Sequence, residues 1–333
     1  MSDYDVVALG NALVDKEFQV SEAFLKEQGI EKGVMTLIDR HTQLALLENL
    51  YQHCDLRNRA GGGSAVNSMV TAAQFGSKVF CCCKVGDDEL GHFYQQDLAA
   101  AGVDNRLEEQ ATKGDTGRCV VMITPDTERT MCTFLGVTTD FSVDELHEQP
   151  VQKAQYLYIE GHLVYSDTAV EAILKAKRLA RDANVKIALT FSDPAVVKYA
   201  RDNLEKVIGD DGVDLLFCNK DEVLDYAGNQ DLDTGIKKLR EIANLIVVTH
   251  GKHGARIYNG SEDYLPVAPY KVKAVDATGA GDTFAGAFLH GITQGMSLSR
   301  AGDLASRAAS ECVASFGPRL SSTLQQDILS EFN

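Results

Sequence analysis

Residues 156–190 read YLYIEGHLVYSDTAVEAILKAKRLARDANVKIALT. Tyr156–Ile159 and Lys186–Thr190 have the length and composition of buried strands, whereas Thr168–Ala183 has helical periodicity. The same alternation of strand and helix continues through Leu215–Cys218, Gly235–Ala243 and Leu245–Thr249. Short strands that alternate with helices of about 10–15 residues predict βαβ units, which build a parallel sheet. The sequence therefore predicts an α/β fold.

The segments on either side of this stretch add elements to the same fold. Upstream, strands are predicted at Val6–Leu9 and Val79–Val85, with helices at Ser64–Phe75 and Glu89–Ala101. The last third of the chain is predicted to be helical, with helices at Gly281–Thr293, Leu298–Phe316 and Ser322–Phe332. The whole chain, residues 1–333, is interpreted as one domain with an inserted lid.

The lid is predicted from two regions, at about residues 13–38 and 106–136, that depart from the alternation of strand and helix. Both alternate between apolar and polar residues, as expected of a small sheet with one face in water. Within the second region, Arg118–Thr124 and Thr130–Leu135 predict a hairpin whose turn lies at Pro125-Asp126. We interpret the two regions as insertions that pair over the main sheet. Edge hairpins without a functional role are the alternative.

Composition and charge limit the expected partners and compartment. The 333 residues include 32 Lys and Arg against 48 Asp and Glu, a formal net charge of −16 that would repel a nucleic-acid backbone. No apolar run approaches the roughly 20 residues of a membrane span. The acidic N-terminus lacks the basic and apolar regions of a secretory signal. The eight cysteines indicate neither a disulfide framework nor metal knuckles, so we expect a soluble cytoplasmic protein.

The strongest candidate for chemistry is Asp276–Phe284, which reads DATGAGDTF and runs into an Ala/Gly-rich helix. Small residues let a ligand approach the backbone, and the start of the helix offers N–H groups and a positive dipole end to an anion. A carboxylate at Asp282 would repel phosphate unless it had a chemical role. The role that fits is to accept the proton of an attacking hydroxyl while the N–H groups hold the transferring phosphoryl group. An Asp that caps the helix is the alternative.

A second glycine-rich segment, Gly61–Gly63, runs into the predicted helix that carries Asn67. A glycine triplet before a helix permits close approach of a polar ligand, although a plain loop is an equally good interpretation. The segment is not a dinucleotide fingerprint, because the Gly-x-Gly-x-x-Gly order fails at Val66 and no strand is predicted before it.

Two further polar segments directly follow predicted strands, at the edge where parallel sheets bind ligands. Asn219 and Glu222 would share one face of the next helix and could hold water and Mg²⁺ near phosphates; capping of the helix start is the alternative. Thr249–Gly254 carries glycines that suit contact with a nucleotide, and a plain hairpin is the alternative. No Gly-x-x-x-x-Gly-Lys-Ser/Thr segment occurs, which argues against a P-loop.

Taken together and in this order, the four motifs resemble those of the ribokinase-like family of carbohydrate and nucleoside kinases, the phosphofructokinase-B type. Asp276–Phe284 resembles the C-terminal signature of the family, and Gly61–Gly63 with Asn67 matches the N-terminal signature in spacing. The resemblance implies a doubly wound, mostly parallel sheet flanked by helices, with a small β-sheet lid. It also implies ATP as the phosphoryl donor and Mg²⁺ as a cofactor, and many members of the family bind K⁺.

The resemblance implies roles for the residues at matching positions. Asp282 would deprotonate the acceptor hydroxyl, and the anion hole would be Gly279, Ala280 and Gly281. The nucleotide, with Mg²⁺ held through water at Glu222, would be contacted by Asn219, Glu222, Thr249, Gly251 and Gly254. The acceptor would be held by Asn11, Asp15, Gly62, Gly63, Asn67 and Glu160. The positions that match the K⁺ site are Asp276, Thr278, Cys312, Ser315, Gly317 and Ser321.

Two segments bear on the identity of the acceptor. Gly10–Asp15 resembles the opening of adenosine kinases more than that of ribokinases, and Glu128–Gly136 resembles an adenosine-kinase segment. Arg129 would neutralise charge during transfer, while Phe134 stands where Asn is expected and is either a core residue or a change in the lid. The leading hypothesis is transfer of the γ-phosphoryl group of ATP to the 5′-hydroxyl of adenosine, giving AMP and ADP. The alternatives are a kinase of a pentose or hexose and a non-catalytic ligand-binding relative; a monomer or homodimer is expected.

Overall fold

The computed structural model describes residues 2–109, 112–126, 128–261, 263–321 and 323–332. With strands numbered in chain order, its large sheet has the spatial order β13 (Leu265–Val267), β12 (Ala255–Tyr258), β11 (Ala243–Thr249), β10 (Val213–Asn219), β9 (Lys186–Thr190), β8 (Ala154–Glu160), β1 (Tyr4–Leu9) and β5 (Val79–Cys82). The six strands from β11 to β5 are parallel, and β12 and β13 extend the sheet in antiparallel pairing. The predicted α/β fold with a mostly parallel sheet is confirmed.

Helices cover both faces of this sheet. In chain order the α-helices of the described residues are α1 (Glu22–Glu27), α2 (Arg40–His53), α3 (Ser64–Gln74), α4 (Glu89–Ala100), α5 (Glu148–Gln152), α6 (Asp167–Asp182), α7 (Pro194–Tyr199), α8 (Arg201–Ile208), α9 (Lys220–Ala227), α10 (Leu232–Leu239), α11 (Ala280–Thr293), α12 (Leu298–Val313) and α13 (Leu324–Ser330). Two of these helices, α1 and α2, pack instead on a separate smaller sheet. Adjacent strand residues point to opposite faces, so Val6 joins the core under α3, α11 and α12, while Val7 joins the core under α6 and α8. Two apolar cores on opposite faces explain why the parallel strands read as continuous apolar runs.

A separate five-stranded sheet is built from β3 (Met35–Leu37), β7 (Arg129–Phe134), β6 (Gly117–Ile123), β2 (Leu13–Gln19) and β4 (Leu56–Gly62), in that spatial order. Helices α1 and α2 cover one face, where Phe18 and Val120 are buried against Leu50. Because side chains alternate along a strand, Asp15 and Glu17 lie on the opposite face, beside Cys119 and Val121 of β6. This smaller sheet therefore has one apolar face under helices and one face that carries buried carboxylates.

Both regions predicted to form the lid contribute strands to the small sheet, and β6 and β7 form the predicted hairpin. The prediction was incomplete at β4, an additional strand that runs directly into the glycine triplet. Its sequence, LRNRAGG, has no regular apolar alternation, and the strand is fixed by antiparallel pairing with β2. Residues 110, 111 and 127 of the predicted lid region lie outside the described residues.

Several helix ends differ from the predicted ones for local reasons. The helix predicted at Gly235–Ala243 is instead α10, because the Asp231 side chain caps its start by accepting from the Thr234 N–H, and Ala243 already belongs to β11. Helix α12 ends at Val313 rather than Phe316, since the Val313 carbonyl accepts from the N–H groups of residues 275 and 276. The last predicted helix becomes α13, and Ser322 lies outside the described residues. No helix in the described ranges is long and apolar enough to cross a membrane.

Candidate active site

The polar residues predicted after strands meet at one edge of the large sheet. Glu160 ends β8, Asn219 ends β10 and Thr249 follows the apolar part of β11. Asn219 and Thr249 are paired in register, and Glu160 pairs with Thr190 on β9. Parallel strands place their carboxyl ends at the same edge, so residues far apart in sequence converge there.

The predicted anion hole lies at the start of α11. Gly279 is the N-cap of the helix and has a left-handed backbone with φ of +71°, and a Cβ there would overlap with the carbonyl of Pro318. Only glycine satisfies both conditions without strain. Ala280 and Gly281 follow in the first turn and line a cavity. The small residues predicted to let a ligand approach the backbone therefore lie where the positive end of α11 opens into a pocket.

Asp282 joins α11 to α3, the helix that carries the predicted acceptor residue Asn67. Its Oδ1 accepts from the Ser64 hydroxyl at 2.6 Å, and its Oδ2 accepts from the Asn67 amide at 3.2 Å. The capping alternative does not describe this geometry, because the N-cap of α11 is Gly279 and both Asp282 oxygens accept from α3. Burial raises the pKa of Asp282 from 3.8 to about 6, and the bonds from Ser64 and Asn67 oppose that rise. A carboxylate with a pKa near neutrality is suited to proton transfer.

Each glycine of the triplet is required by a different neighbour. A Cβ at Gly61 would overlap with Asp97 and Arg319, whereas a Cβ at Gly62 would overlap with the Asp15 carboxylate. Gly63 has a φ of +102°, and its Cβ would overlap with the Asn11 carbonyl. The plain-loop alternative is therefore incorrect: the triplet is the tightly packed junction between β4 and α3.

A buried polar cluster lies next to this junction. Glu160 is 1% exposed, and it accepts from the Asn11 amide and from the Ala65 N–H, both at 2.9 Å. Asn11 in turn accepts from the Thr138 hydroxyl at 3.1 Å. His162, which the sequence analysis did not single out, lies 3.5 Å from Glu160, and this carboxylate raises the pKa of His162 against the opposing effect of burial. Asn11 and Glu160 are thus held in fixed orientations at the sheet edge.

The carboxylate-bearing face of the small sheet is packed against the same segments. Asp15 is beside Gly62, and a Cβ at Gly317 would lie 3.5 Å from a Glu17 oxygen. Burial raises the pKa of both carboxyls to about 7. Arg129 donates to the Thr278 hydroxyl at 2.8 Å and lies 3.6 Å from Asp276. The small sheet therefore brings Arg129 to the segment that precedes the predicted anion hole.

Phe134 lies on the other face of the small sheet. It pairs with Arg118 across the hairpin, and the Arg118 guanidinium is 5.4 Å from the centre of its ring. Asp15 pairs with Cys119, the next residue of β6, so Asp15 and Phe134 belong to opposite faces. Phe134 therefore lies on the opposite face of the small sheet from Asp15, which is predicted to hold the acceptor.

Asn219 and Glu222 form a reciprocal cap at the start of α9. The Asn219 side chain accepts from the Glu222 N–H, while Glu222 accepts from the N–H and the amide of Asn219. The capping alternative is thus present in the structure. Glu222 is 3% exposed, and burial raises its pKa from 4.5 to about 7. A nearby cation would stabilise the ionised form of such a buried carboxylate, and each of its oxygens retains a lone pair after the cap is formed.

A cavity of about 610 Å³ adjoins the predicted anion hole. The predicted residues that line it are Thr249, Gly251, Gly254, Ala280 and Gly281. Gly254 has a φ of +85°, and its Cβ would overlap with the Val267 carbonyl, so the hairpin alternative is also present here. The remaining lining residues, which sequence reasoning missed, are Lys252, Pro269, Tyr270, Lys271, Val272, Ala274, Ala277, Phe284, Ser306, Ala309, Ser310 and Val313. Lys252, Ala277 and Phe284 lie within the predicted motifs without having been assigned a contact, and the others belong to segments without a local motif.

The residues that match the K⁺ site are brought together only in part. Asp276 accepts from the N–H and hydroxyl of Thr278 and from the Gly317 N–H. The carbonyls of Thr278 and Gly317 both approach the Cys312 sulfur, at 3.3 and 3.9 Å. The Ser315 hydroxyl bonds within the last turn of α12, whereas the Ser321 hydroxyl bonds with Thr323.

The sequence analysis also did not single out Ser64 and Arg319, each for an identifiable reason. Ser64 is the first residue after the glycine triplet, so its position at the start of a helix was an available signal. Arg319 donates to the side-chain amide oxygen Oδ1 of Asn67 at 3.0 Å across 252 residues of sequence. No local pattern signals a contact of that range, and only the tertiary structure reveals it.

Several known proteins that are similar to this chain are named as kinases. The chain is 29% identical to adenosine kinase of Saccharomyces cerevisiae over 94% of this chain and 96% of the yeast protein. It is 26% identical to 5-dehydro-2-deoxygluconokinase of Clostridium beijerinckii, over 76% of this chain and 78% of that protein. The crystal structure of adenosine kinase from Sinorhizobium meliloti superposes with a TM-score of 0.91 at 32% identity, covering 99% of this chain and 100% of that one.

A probable sugar kinase from Rhizobium etli superposes equally well, with a TM-score of 0.91 at 31% identity and 99% coverage of both chains. The family model for the pfkB family carbohydrate kinases matches residues 34–325. This match covers most of the chain, including both glycine-rich segments. The chain therefore belongs to the pfkB family of carbohydrate kinases, which transfer phosphoryl groups to alcohol groups of sugars or nucleosides.

Proposed function

We propose that this chain is an adenosine kinase, which transfers the γ-phosphoryl group of ATP to the 5′-hydroxyl of adenosine and releases AMP and ADP. The observation that carries the proposal is the position of Asp282. Its carboxylate is bonded to Ser64 and Asn67 on the acceptor side, and it lies one residue beyond the cavity-lining Gly281. A base at the boundary between acceptor and donor is the arrangement that direct phosphoryl transfer needs.

In the proposed mechanism, Asp282 accepts the proton as the O–H bond of the acceptor breaks. The acceptor oxygen then forms its bond to the γ-phosphorus while the bond from that phosphorus to the β-phosphate oxygen breaks, so ADP leaves. The N–H groups at the start of α11, around Gly279–Gly281, stabilise the charge on the phosphoryl oxygens. Arg129 reaches the same segment through Thr278 and adds a positive charge.

The proposal also includes bound cations, Mg²⁺ and K⁺. Among the described residues no three His, Cys, Asp or Glu side chains cluster into a metal site. Mg²⁺ commonly binds through one or two carboxylates, water and substrate phosphates, so buried Glu222 fits an ion held through water. Bound Mg²⁺ would offset phosphate charge. Converging carbonyls are also the ligand type that K⁺ takes, and Thr278 and Gly317 supply two beside Cys312.

Adenosine is favoured over a free sugar by the surface next to Asp15. Cys119, Val121 and Ile123 follow one another along the same face of β6, and Met131 packs against them. We propose that the base packs against this apolar strip, whose β6 residues are 2–6% exposed and adjacent to the polar groups that would hold a ribose. The relatives add support, since the yeast adenosine kinase aligns over nearly the whole chain. We propose that the small sheet acts as the lid of this site.

The sugar-kinase alternative is favoured by a different observation. The same face of β6 and its neighbours β2 and β7 carries no aromatic side chain among the described residues, so base stacking has no platform on those strands.

A cytoplasmic location belongs to the proposal as well, because the eight cysteines are all unpaired.

The acceptor is tested by coupled ADP release with ATP and Mg²⁺, against adenosine, inosine, guanosine, ribose, fructose and fructose phosphates. We expect turnover with adenosine, and kcat/KM values for the free sugars at least about a hundredfold lower, because loss of a buried base forfeits several kcal/mol of binding. Turnover with a sugar alone would replace the nucleoside assignment by the sugar-kinase alternative. No turnover with any of these acceptors, in a sample that binds ATP, would favour the non-catalytic relative.

The pH dependence of kcat/KM gives a separate test of the base. Asp282 acts only when ionised, and its pKa is raised to about 6, so activity should rise as pH increases through about 6 and level off above it. An unperturbed Asp would place the same limb near 4. We expect kcat/KM for adenosine to fall about tenfold for each pH unit below 6 in a pH series at saturating Mg²⁺. An acid limb near pH 4 would contradict the assignment.

A further inference from the structure

An arginine outside both signature motifs reaches the acceptor side of the site. Arg319 lies in the segment after α12, and its side chain is 12% exposed. Its Nε donates to Asn67 Oδ1 at 3.0 Å, and its Nη1 donates to the carboxylate of Asp97 on α4. The guanidinium is therefore held between an acceptor residue and an anchoring carboxylate.

The bond from Arg319 determines which end of the Asn67 amide faces Asp282. A guanidinium can only donate hydrogen bonds, and an ionised carboxylate can only accept them. With Oδ1 turned to Arg319, the Asn67 Nδ2 donates to Asp282 at 3.2 Å. The flipped amide would place its NH₂ against the guanidinium and its oxygen against the carboxylate, which leaves two pairs of like groups in contact. Only one orientation satisfies both neighbours.

The position of Arg319 is itself fixed from two directions. A Cβ at Gly61 would overlap with Asp97 and lie 2.9 Å from Arg319, so this glycine leaves room for the ion pair. In the same segment, Gly317 donates its N–H to Asp276 at 3.1 Å, and the Pro318 carbonyl packs against Gly279. Three consecutive residues thus contact the anion-hole segment and the acceptor helix α3 together.

We propose that Arg319 is a positioning residue for phosphoryl transfer, because it fixes the amide of Asn67 so that Asn67 donates to Asp282. The inference rests on the proposed function, in which Asp282 is the base. It goes beyond that function by assigning a role to a residue that would touch neither ATP nor the reacting hydroxyl.

A double-mutant cycle with Arg319→Met and Asn67→Ala tests the proposal. Met fills a similar volume but removes every donor, so we expect Arg319→Met alone to lower kcat about tenfold, a typical effect of losing a hydrogen bond that orders a charged site. The KM for ATP should stay within about twofold, since the cavity is lined by other residues. In the Asn67→Ala background, Arg319→Met should lower kcat by less than about twofold, because Arg319 then has no amide to orient.

The same loss of kcat in both backgrounds would overturn the proposal, because Arg319 would then act through its charge or through the fold. Arg319→Lys keeps the charge without the planar fork and should restore only part of kcat. Full recovery with Lys would likewise show that charge alone is needed. If Arg319→Met does not fold, Asp97→Ala in the same cycle removes the anchor, and it should lower kcat only when Asn67 is present.

A matched control separates this effect from general destabilisation. Arg181 on α6 forms ion pairs with Asp211 and Asp214 away from the site, so Arg181→Met should lower the Tm without changing kcat. The proposed function can fail separately, because full activity of Asp282→Asn would show that Asp282 is not the base. If Asp282→Asn is inactive but the effects of the Arg319 and Asn67 substitutions on kcat are additive, only the positioning role of Arg319 is overturned.

Discussion

Asp282→Asn is expected to lower kcat by about a thousandfold, within the range of 10² to 10⁴ that a positioned general base commonly supplies. The amide keeps the shape of the side chain but cannot accept the proton of the acceptor hydroxyl. The dissociation constant of a non-hydrolysable ATP analogue should stay within about twofold, because Asp282 is not among the residues that line the 610 Å³ cavity. Coupled ADP release gives kcat, and calorimetric titration gives the dissociation constant.

The control for this substitution is Asp225→Asn, which makes the same change in charge at an exposed position on α9. Turnover of that variant should match the unsubstituted protein. Unchanged turnover of Asp282→Asn would exclude Asp282 as the base. Loss of analogue binding together with turnover would indicate damage to the fold, which thermal unfolding would reveal.

Gly279→Ala is expected to reduce kcat by about a hundredfold and to lower the Tm. The left-handed backbone at this position costs a non-glycine residue about 1 kcal/mol, and the new Cβ would also overlap with the Pro318 carbonyl. The backbone must shift to relieve that overlap, which moves the first N–H groups of α11 away from the phosphoryl group. A displacement of about 1 Å near a reacting centre can cost a hundredfold in rate. Steady-state kinetics and calorimetric unfolding measure the two effects.

Gly228→Ala separates backbone strain from the steric overlap. Gly228 also has a left-handed backbone, with φ of +59°, but no atom lies within 4 Å of the position that its Cβ would take. We expect the variant to lose about 1 kcal/mol of stability and to keep its full turnover. If Gly279→Ala behaved in the same way as Gly228→Ala, contact with Pro318 would have no part in holding the anion hole.

Local chemistry made much of the candidate site predictable. The glycines and small residues of 276–282 predicted a backbone that a ligand can approach closely. The positions of Asn219 and Thr249 at strand ends predicted that they lie at the ligand-binding edge of the sheet. Local chemistry could not distinguish two uses of one pattern: Asn219 and Glu222 read equally as a cap or as a cation site, and the structure contains the cap. The glycine triplet was likewise compatible with a loop until its packing partners were known.

Periodicity and residue type over short spans were enough to predict the parallel α/β sheet, most of its helices and the segment around Asp282. The strand β4, the walls of the 610 Å³ cavity and the contact from Arg319 to Asn67 emerged only from the folded structure. These features join residues that are distant along the chain. Their energies come from packing and hydrogen bonds between elements, and a local pattern does not encode which elements meet.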